Sequence, residues 1–249
     1  MNDTPAARRV IVNADDFGQS PGINGGVVRG HEEGIVTSAS LMVRWPAAVE
    51  AAAYCRAHPA LSVGLHLDLG EWTFHDGAWT ALYRVVPLDD PAAVRREVAA
   101  QLAAFEALVG RVPTHLDSHQ HVHRRTVVGT VLGEIAATRG LPLRGVTPHV
   151  RYCGDFFGQT AEGAPIANVI SVTGLRRVLA ALPAGITELS CHPAESVEFE
   201  TMYRSERRQE LEVLCDVRLR AAMREEAIGL CAFHDLPGVA AYGSSGCVA

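Results

Sequence analysis

The segment THLDSHQHVH, residues 114–123, sets four histidines and an aspartate within ten positions, and His115, Asp117, His119, His121 and His123 all carry odd numbers. Alternate residues of an extended chain share a face, so a strand aims all five the same way; a helix instead pairs His119 with His123 one turn apart. Imidazoles and carboxylates brought together are the donor set for a divalent cation. Pro113 and the strand-like residues before the cluster favour the extended form.

Other apolar runs also end in residues that bind metal or move protons: NADD at 13–16, GLHLD at 64–68, SCHP at 190–193 and FHD at 233–235, besides LDSHQH at 116–121. In parallel α/β architectures chemistry gathers at the carboxyl ends of strands, so five such endings point to one site. Two imidazoles and one carboxylate with a position left open form a hydrolytic centre, where the metal lowers the pKa of water from roughly 15.7 to about 7. A nearby carboxylate then takes the proton and a second group protonates the leaving group.

Each residue also has a plainer role available. Asp15 and Asp16 suit a turn after a strand, His66 suits a hydrogen-bonded core position, and His192, before Pro193, suits the end of a strand. His115 lies mid-strand and reads as structural, while Asp117 is placed to orient a ligand histidine from behind. His121 and His123 fall past the strand end, where they line a pocket or meet solvent, and they are carried forward as candidate substrate-binding residues. His31, His58, His75 and His149 carry no such signal.

The elements that must position these groups alternate. Strands are expected at 8–15, 36–43, 61–67, 112–119, 142–146, 186–192 and 228–235. Helices are expected at 21–34, 46–58, 91–110, 124–140, 173–182 and 204–226, the last broken near Asp216. Repeated strand–helix units make a parallel sheet, and about seven strands in 249 residues favour a barrel or near-barrel. One domain over 1–249 is expected, with its core at about 8–235 and a loose tail, PGVAAYGSSGCVA. The stretches 71–90 and 149–169 read as long functional loops. The first carries Trp72, Phe74, Trp79 and Tyr83, and Trp72 is expected as an exposed stacking platform for a sugar, dispensable for stability.

Composition excludes more than it selects. The formal charge is −6 with no basic run beyond arginine pairs, which argues against nucleic acid. All 22 basic residues are arginine, so Schiff-base and P-loop lysine chemistry is excluded. The start lacks a signal-peptide stretch and no segment reaches the length of a membrane span. The six cysteines show no C-x-x-C spacing and read as reduced thiols, so a cytoplasmic location is expected. A homo-oligomer is compatible with the sequence.

IVNADDFG, GIVTSASLMV, VGLHLDL, PTHLDSHQHVH and ELSCHP, in that order and spacing, make the chain resemble the YdjC-like family of carbohydrate deacetylases over about residues 8–235. The resemblance implies an α/β fold, a distorted (β/α) TIM-like barrel of the glycoside hydrolase/deacetylase kind. It also implies metal-dependent removal of an acetyl group from a chitin-derived or related N-acetylated sugar. By the same resemblance Asp16, His66 and His119 hold the ion, Asp15 is the base and His192 the acid toward the amine. Ala194 stands where the family often has glycine. Two imidazoles and a carboxylate suit zinc, manganese or cobalt, while the family is often described with magnesium; one divalent ion, Mg2+ or Zn2+, is expected. The competing readings are a metal-dependent hydrolase of a phosphoester or cyclic amide, and a non-catalytic sugar- or metal-binding module. A retaining glycosidase is disfavoured, because adjacent aspartates rarely flank one glycosidic bond.

Overall fold

The computed structural model describes residues 7–238 except 161, 165 and 167, so most of the expected tail, with Cys247, lies outside the described residues. Strand β1 (Arg8–Phe17) is buried from Val10 onward. It is joined by β2 (Ser38–Leu41), β3 (Ser62–Leu67), β6 (Leu116–Ser118), β7 (Val150–Cys153), β8 (Gly185–Cys191) and β9 (Ile228–Cys231). These seven strands form one curled parallel sheet in the order β6-β3-β2-β1-β8-β7. Strand β9 pairs with Arg8–Ile11 of β1, while β2 pairs with Asn13–Phe17 farther along. One edge of β1 therefore serves two strands in succession. This is the expected α/β barrel, distorted and open on one side.

Helices α1 (Pro21–Glu32), α2 (Ala48–Ala57), α3 (Pro91–Val109), α4 (Thr126–Arg139), α5 (Val172–Ala181), α6 (Ser205–Leu214) and α7 (Val217–Glu225) alternate with the strands. Their boundaries follow local chemistry. Asp90 caps α3 by accepting from the Ala92 and Ala93 amides, Pro91 fills the first position, and Gly110 ends it in the left-handed region at φ 77°. The break near Asp216 is present: Asp216 accepts from the Arg218 amide and starts α7.

Three expectations change. The stretch 142–146 is no strand; it contributes one bridge, Leu143 to Leu116, before Gly145 turns the chain at φ 69°. The stretch 149–169 is not all loop, since it supplies β7. The stretch 71–90 is mostly an antiparallel hairpin, β4 (Gly70–His75) and β5 (Ala78–Arg84), turned by Asp76-Gly77 with both φ positive (50° and 79°). An Asp-Gly pair between aromatic runs is the sequence signature of that turn.

Trp72 is consequently buried, 8% exposed, and packed into the main hydrophobic core rather than presented to solvent, although it also lines a cavity at the carboxyl end of the sheet. Its backbone is clamped by Gln120, which accepts from the Trp72 amide at 2.9 Å and donates to its carbonyl at 2.8 Å. Arg125 lies 5.2 Å over its ring. Trp72→Ala therefore removes a core ring, and the expected cost is about 3 kcal/mol or more. Thermal melting should fall by about 6–12 °C for a chain of this size; an unchanged Tm would return the ring to the surface.

Candidate active site

Consecutive strand residues normally face opposite ways, yet Asp15 and Asp16 both line one cavity of about 370 Å³ at the carboxyl end of the sheet. The β1–β2 register slips between Ala14 and Phe17, and Asp16 sits in the left-handed region at φ 64°. That bulge re-aims the second carboxylate, a strained conformation concentrated at the site.

Asp15 is gripped by Arg144, whose two terminal nitrogens each donate to one carboxylate oxygen at 2.7 Å. Asn13 and Ser190 donate to the same carboxylate at 2.9 and 3.2 Å. Arg144 is 2% exposed and also pairs with Asp117 at 2.7 Å and Glu188 at 2.6 Å. Burial works against the Asp15 charge, but the guanidinium overcomes it and holds the carboxyl below its usual range.

Asp16 meets two histidines through one oxygen. His66 Nε2 lies 3.2 Å and His119 Nδ1 2.9 Å from Asp16 Oδ1. His66 Nδ1 is 2.7 Å from Asp117 Oδ1, so Asp117 does back the histidine as expected. Ligand atoms of Asp16, His66 and His119 all lie within 4.8 Å of one another, and all three residues are buried. Burial disfavours a charged ring at His66, yet Asp117 and Asp16 together push it up to about 10.

The parity rule holds only as far as the strand. His115, Asp117 and His119 are all buried, but the chain then enters a short 3₁₀ turn, His119–Arg124, in which Gln120 and His121 have φ of 48° and 53°. His121 lines the cavity and lies 3.0 Å from the Tyr152 hydroxyl. His123, the other expected substrate-binding histidine, instead pairs with Ser118 at 2.6 Å and is not among the residues lining that cavity. The helical pairing of His119 with His123 is absent among the described residues. His115 is structural: it pairs with Thr114 and Ser40 and stacks on Phe233 at 3.8 Å. The FHD ending also stays outside, Asp235 closing a turn on the Ala232 amide.

His192 lines the cavity, with Nε2 3.8 Å from Asp15 Oδ2 and its backbone amide donating to Glu210 at 2.6 Å. The loop after it seats on α1, where a side chain at Gly26 would meet Ala194 Cα at 2.4 Å. Sequence reasoning missed Arg144, Glu210, Arg207 and Glu71. Arg144 lies within an expected strand, where a lone arginine carries no signal of metal binding or proton transfer. Glu71 and Arg207 both line the cavity, and nothing in local pattern separates Arg207 from its neighbour Arg208.

The sequence profile of the YdjC-like protein family matches residues 9–225. A carbohydrate deacetylase of Geobacillus stearothermophilus is 33% identical over 92% of this chain and 98% of its own length. A chitooligosaccharide deacetylase of Serratia marcescens is 32% identical over 91% and 98%. Among solved structures, a protein of Enterococcus faecalis V583 described as a cellobiose-phosphate cleavage protein superposes with a TM-score of 0.72 at 23% identity, covering 92% of this chain and 98% of its own, which shows a shared fold.

Three neutral imidazoles surround this charge network. Burial first, then the Arg144 charge, pushes His115 and His121 down to about 3 and His123 to about 4, against the pull of nearby carboxylates. Unfolding restores an ordinary histidine, so the unfolded chain binds more protons below pH 6.5 and stability falls with pH there. Glu188, raised by burial to about 7, and Glu71, also raised by burial, oppose this as two groups against three. The urea midpoint should drop between about pH 6.5 and 4.5; a flat profile would mean solvated imidazoles.

Proposed function

From its membership of the YdjC-like family, to which this chain belongs, and from the convergence of Asp16, His66 and His119 on one point of the cavity, we propose that the protein is a metal-dependent carbohydrate N-deacetylase. That convergence carries the reading. The residues fit a divalent ion. His66 Nδ1 faces a carboxylate and so carries the proton, which in the neutral ring leaves the Nε2 lone pair aimed at Asp16 Oδ1. His119 Nε2 is buried without a partner. Loss of the second His66 proton would let Nε2 and Asp16 Oδ1 share a cation in its place. Asp16, His66 and His119 would hold it; two imidazoles and a carboxylate favour zinc over magnesium.

A divalent ion there supplies Lewis-acid polarisation of an acyl oxygen and acidifies water at neutral pH. The chain's own groups supply the proton traffic. Asp15, kept ionised by Arg144, accepts the proton of water as its oxygen bonds to the acetyl carbon. His192, beside it, gives a proton to the nitrogen as the C–N bond breaks, leaving acetate and a free amine. Glu210 holds the His192 backbone, and the Tyr203 hydroxyl donates to Glu210. His121 and the half-exposed Trp79 at the cavity wall are placed to meet the sugar. The names of the relatives support a chitin-derived oligosaccharide as substrate. One domain over about 8–235 carries this activity, and the five described cysteines, all free, support a reducing compartment such as the cytoplasm. Among the described residues no helix is long and apolar enough to cross a membrane.

A two-metal phosphoesterase is disfavoured by a specific observation. A second potential cluster, Asp15, His66 and Asp117, exists, but Arg144 already bridges Asp15 and Asp117 with its own positive charge.

Metal analysis should show that His66→Ala and His119→Ala each lose tight metal binding with the fold retained, and that neither releases acetate from a panel of N-acetylated sugars. Full stoichiometry in either variant would overturn the ligand assignment. Asp15→Asn should keep its metal while turnover falls about 10²–10⁴-fold. Metal loss in that variant would mean the two aspartates exchange roles.

A further inference from the structure

Arg207 and Arg208 are neighbours on α6 with opposite fates. Arg208 reaches out to Glu212 with most of its side chain exposed, whereas Arg207 turns inward and is 4% exposed. Its Nε donates to the Tyr203 carbonyl at 3.0 Å and its Nη2 to Asp16 Oδ2 at 2.6 Å. Its remaining nitrogen, Nη1, is buried without a partner, and the residue lines the cavity. The two oxygens of Asp16 are thus divided: Oδ2 belongs to Arg207, and only Oδ1 faces His66 and His119.

Resting on the reading of that cluster as a cation site, we propose that Arg207 is a positioning residue that limits Asp16 to one donor oxygen and withdraws negative charge from it, keeping the bound ion electron-poor. An arginine suits the task because it stays charged at any working pH and its planar fork fixes direction. A counter-charge needed only to offset a buried carboxylate would have no reason to leave a buried nitrogen free at the cavity. Like charges repel, so the guanidinium weakens ion binding while sharpening the ion's pull on substrate.

The test uses the full chain stripped with a chelator and reloaded with Co2+ or Zn2+, comparing wild type with Arg207→Met and Arg207→Lys. Affinity is read by competition with a chromophoric chelator, and the ligand field by the visible cobalt spectrum. Removing one nearby positive charge should tighten binding about 5- to 50-fold in Arg207→Met. Its cobalt absorption should weaken as the second Asp16 oxygen becomes available, and kcat should fall at least about tenfold with KM nearly unchanged. Arg207→Lys should return affinity most of the way to wild type. Equal or weaker binding in Arg207→Met with an unchanged cobalt spectrum overturns the proposal. Should that variant not fold, Arg207→Gln carries the same expectations, and loss of fold in both makes Arg207 a structural counter-charge. A wild-type protein that binds neither ion overturns the cation reading itself, and this inference with it.

Discussion

A guanidinium sealed from water needs negative charge around it, and Arg144 takes it from three different strands: Asp15 on β1, Asp117 on β6 and Glu188 on β8. Removing either side of such a buried pair strands an uncompensated charge, which makes the arrangement all-or-none. Three carboxylates exceed one guanidinium, and the surplus is handled unequally. Asp15 and Asp117 stay well ionised, while Glu188 is raised to about 7 by burial. Asp117 then passes the constraint on by fixing the His66 ring, and Ser40 donates to its other oxygen at 2.6 Å. One cation beneath the cavity floor thereby sets the ionisation of one aspartate and the orientation of one imidazole.

Much of this was legible in the sequence. Strand ends rich in Asp and His located the cavity, because a parallel sheet points all its carboxyl ends one way. Asp15, Asp16, His66, His119 and His192 meet there as expected. Helix limits were legible where capping chemistry is local, as at Asp90, Pro91 and Gly110.

What escaped depended on contacts between distant segments or on backbone sign. Period-two reasoning failed at Gln120, where left-handed backbone ends the strand rule. The same sign change at Asp16 made adjacent aspartates compatible with one site, which ordinary alternation forbids. Trp72 read as a surface ring because the aromatic run alone does not show which face the Asp76-Gly77 hairpin buries; in the hairpin Trp72 packs on the core while still lining the cavity, and Trp79 stands half-exposed at its rim. Arg144 and Arg207 are 63 residues apart in sequence, and no local pattern shows that they reach adjacent aspartates, Arg144 to Asp15 and Arg207 to Asp16.

The shared edge of β1 has a consequence in time. Its ten residues are partnered by Ser38–Leu41, by Gly185–Cys191 and by Ile228–Cys231, so the central strand waits for segments that follow it by up to about 220 positions. Pairings that distant close slowly, because the loop entropy is lost before any contact rewards it. During synthesis β1 leaves the ribosome first with an unpaired, strongly apolar edge, a surface prone to association with other chains. The candidate site is likewise completed late: Asp16, His66 and His119 all precede residue 120, but His192 and Arg207 join them only after β8 and α6 have emerged. A half-made chain thus carries the three donors without the guanidinium proposed to temper them.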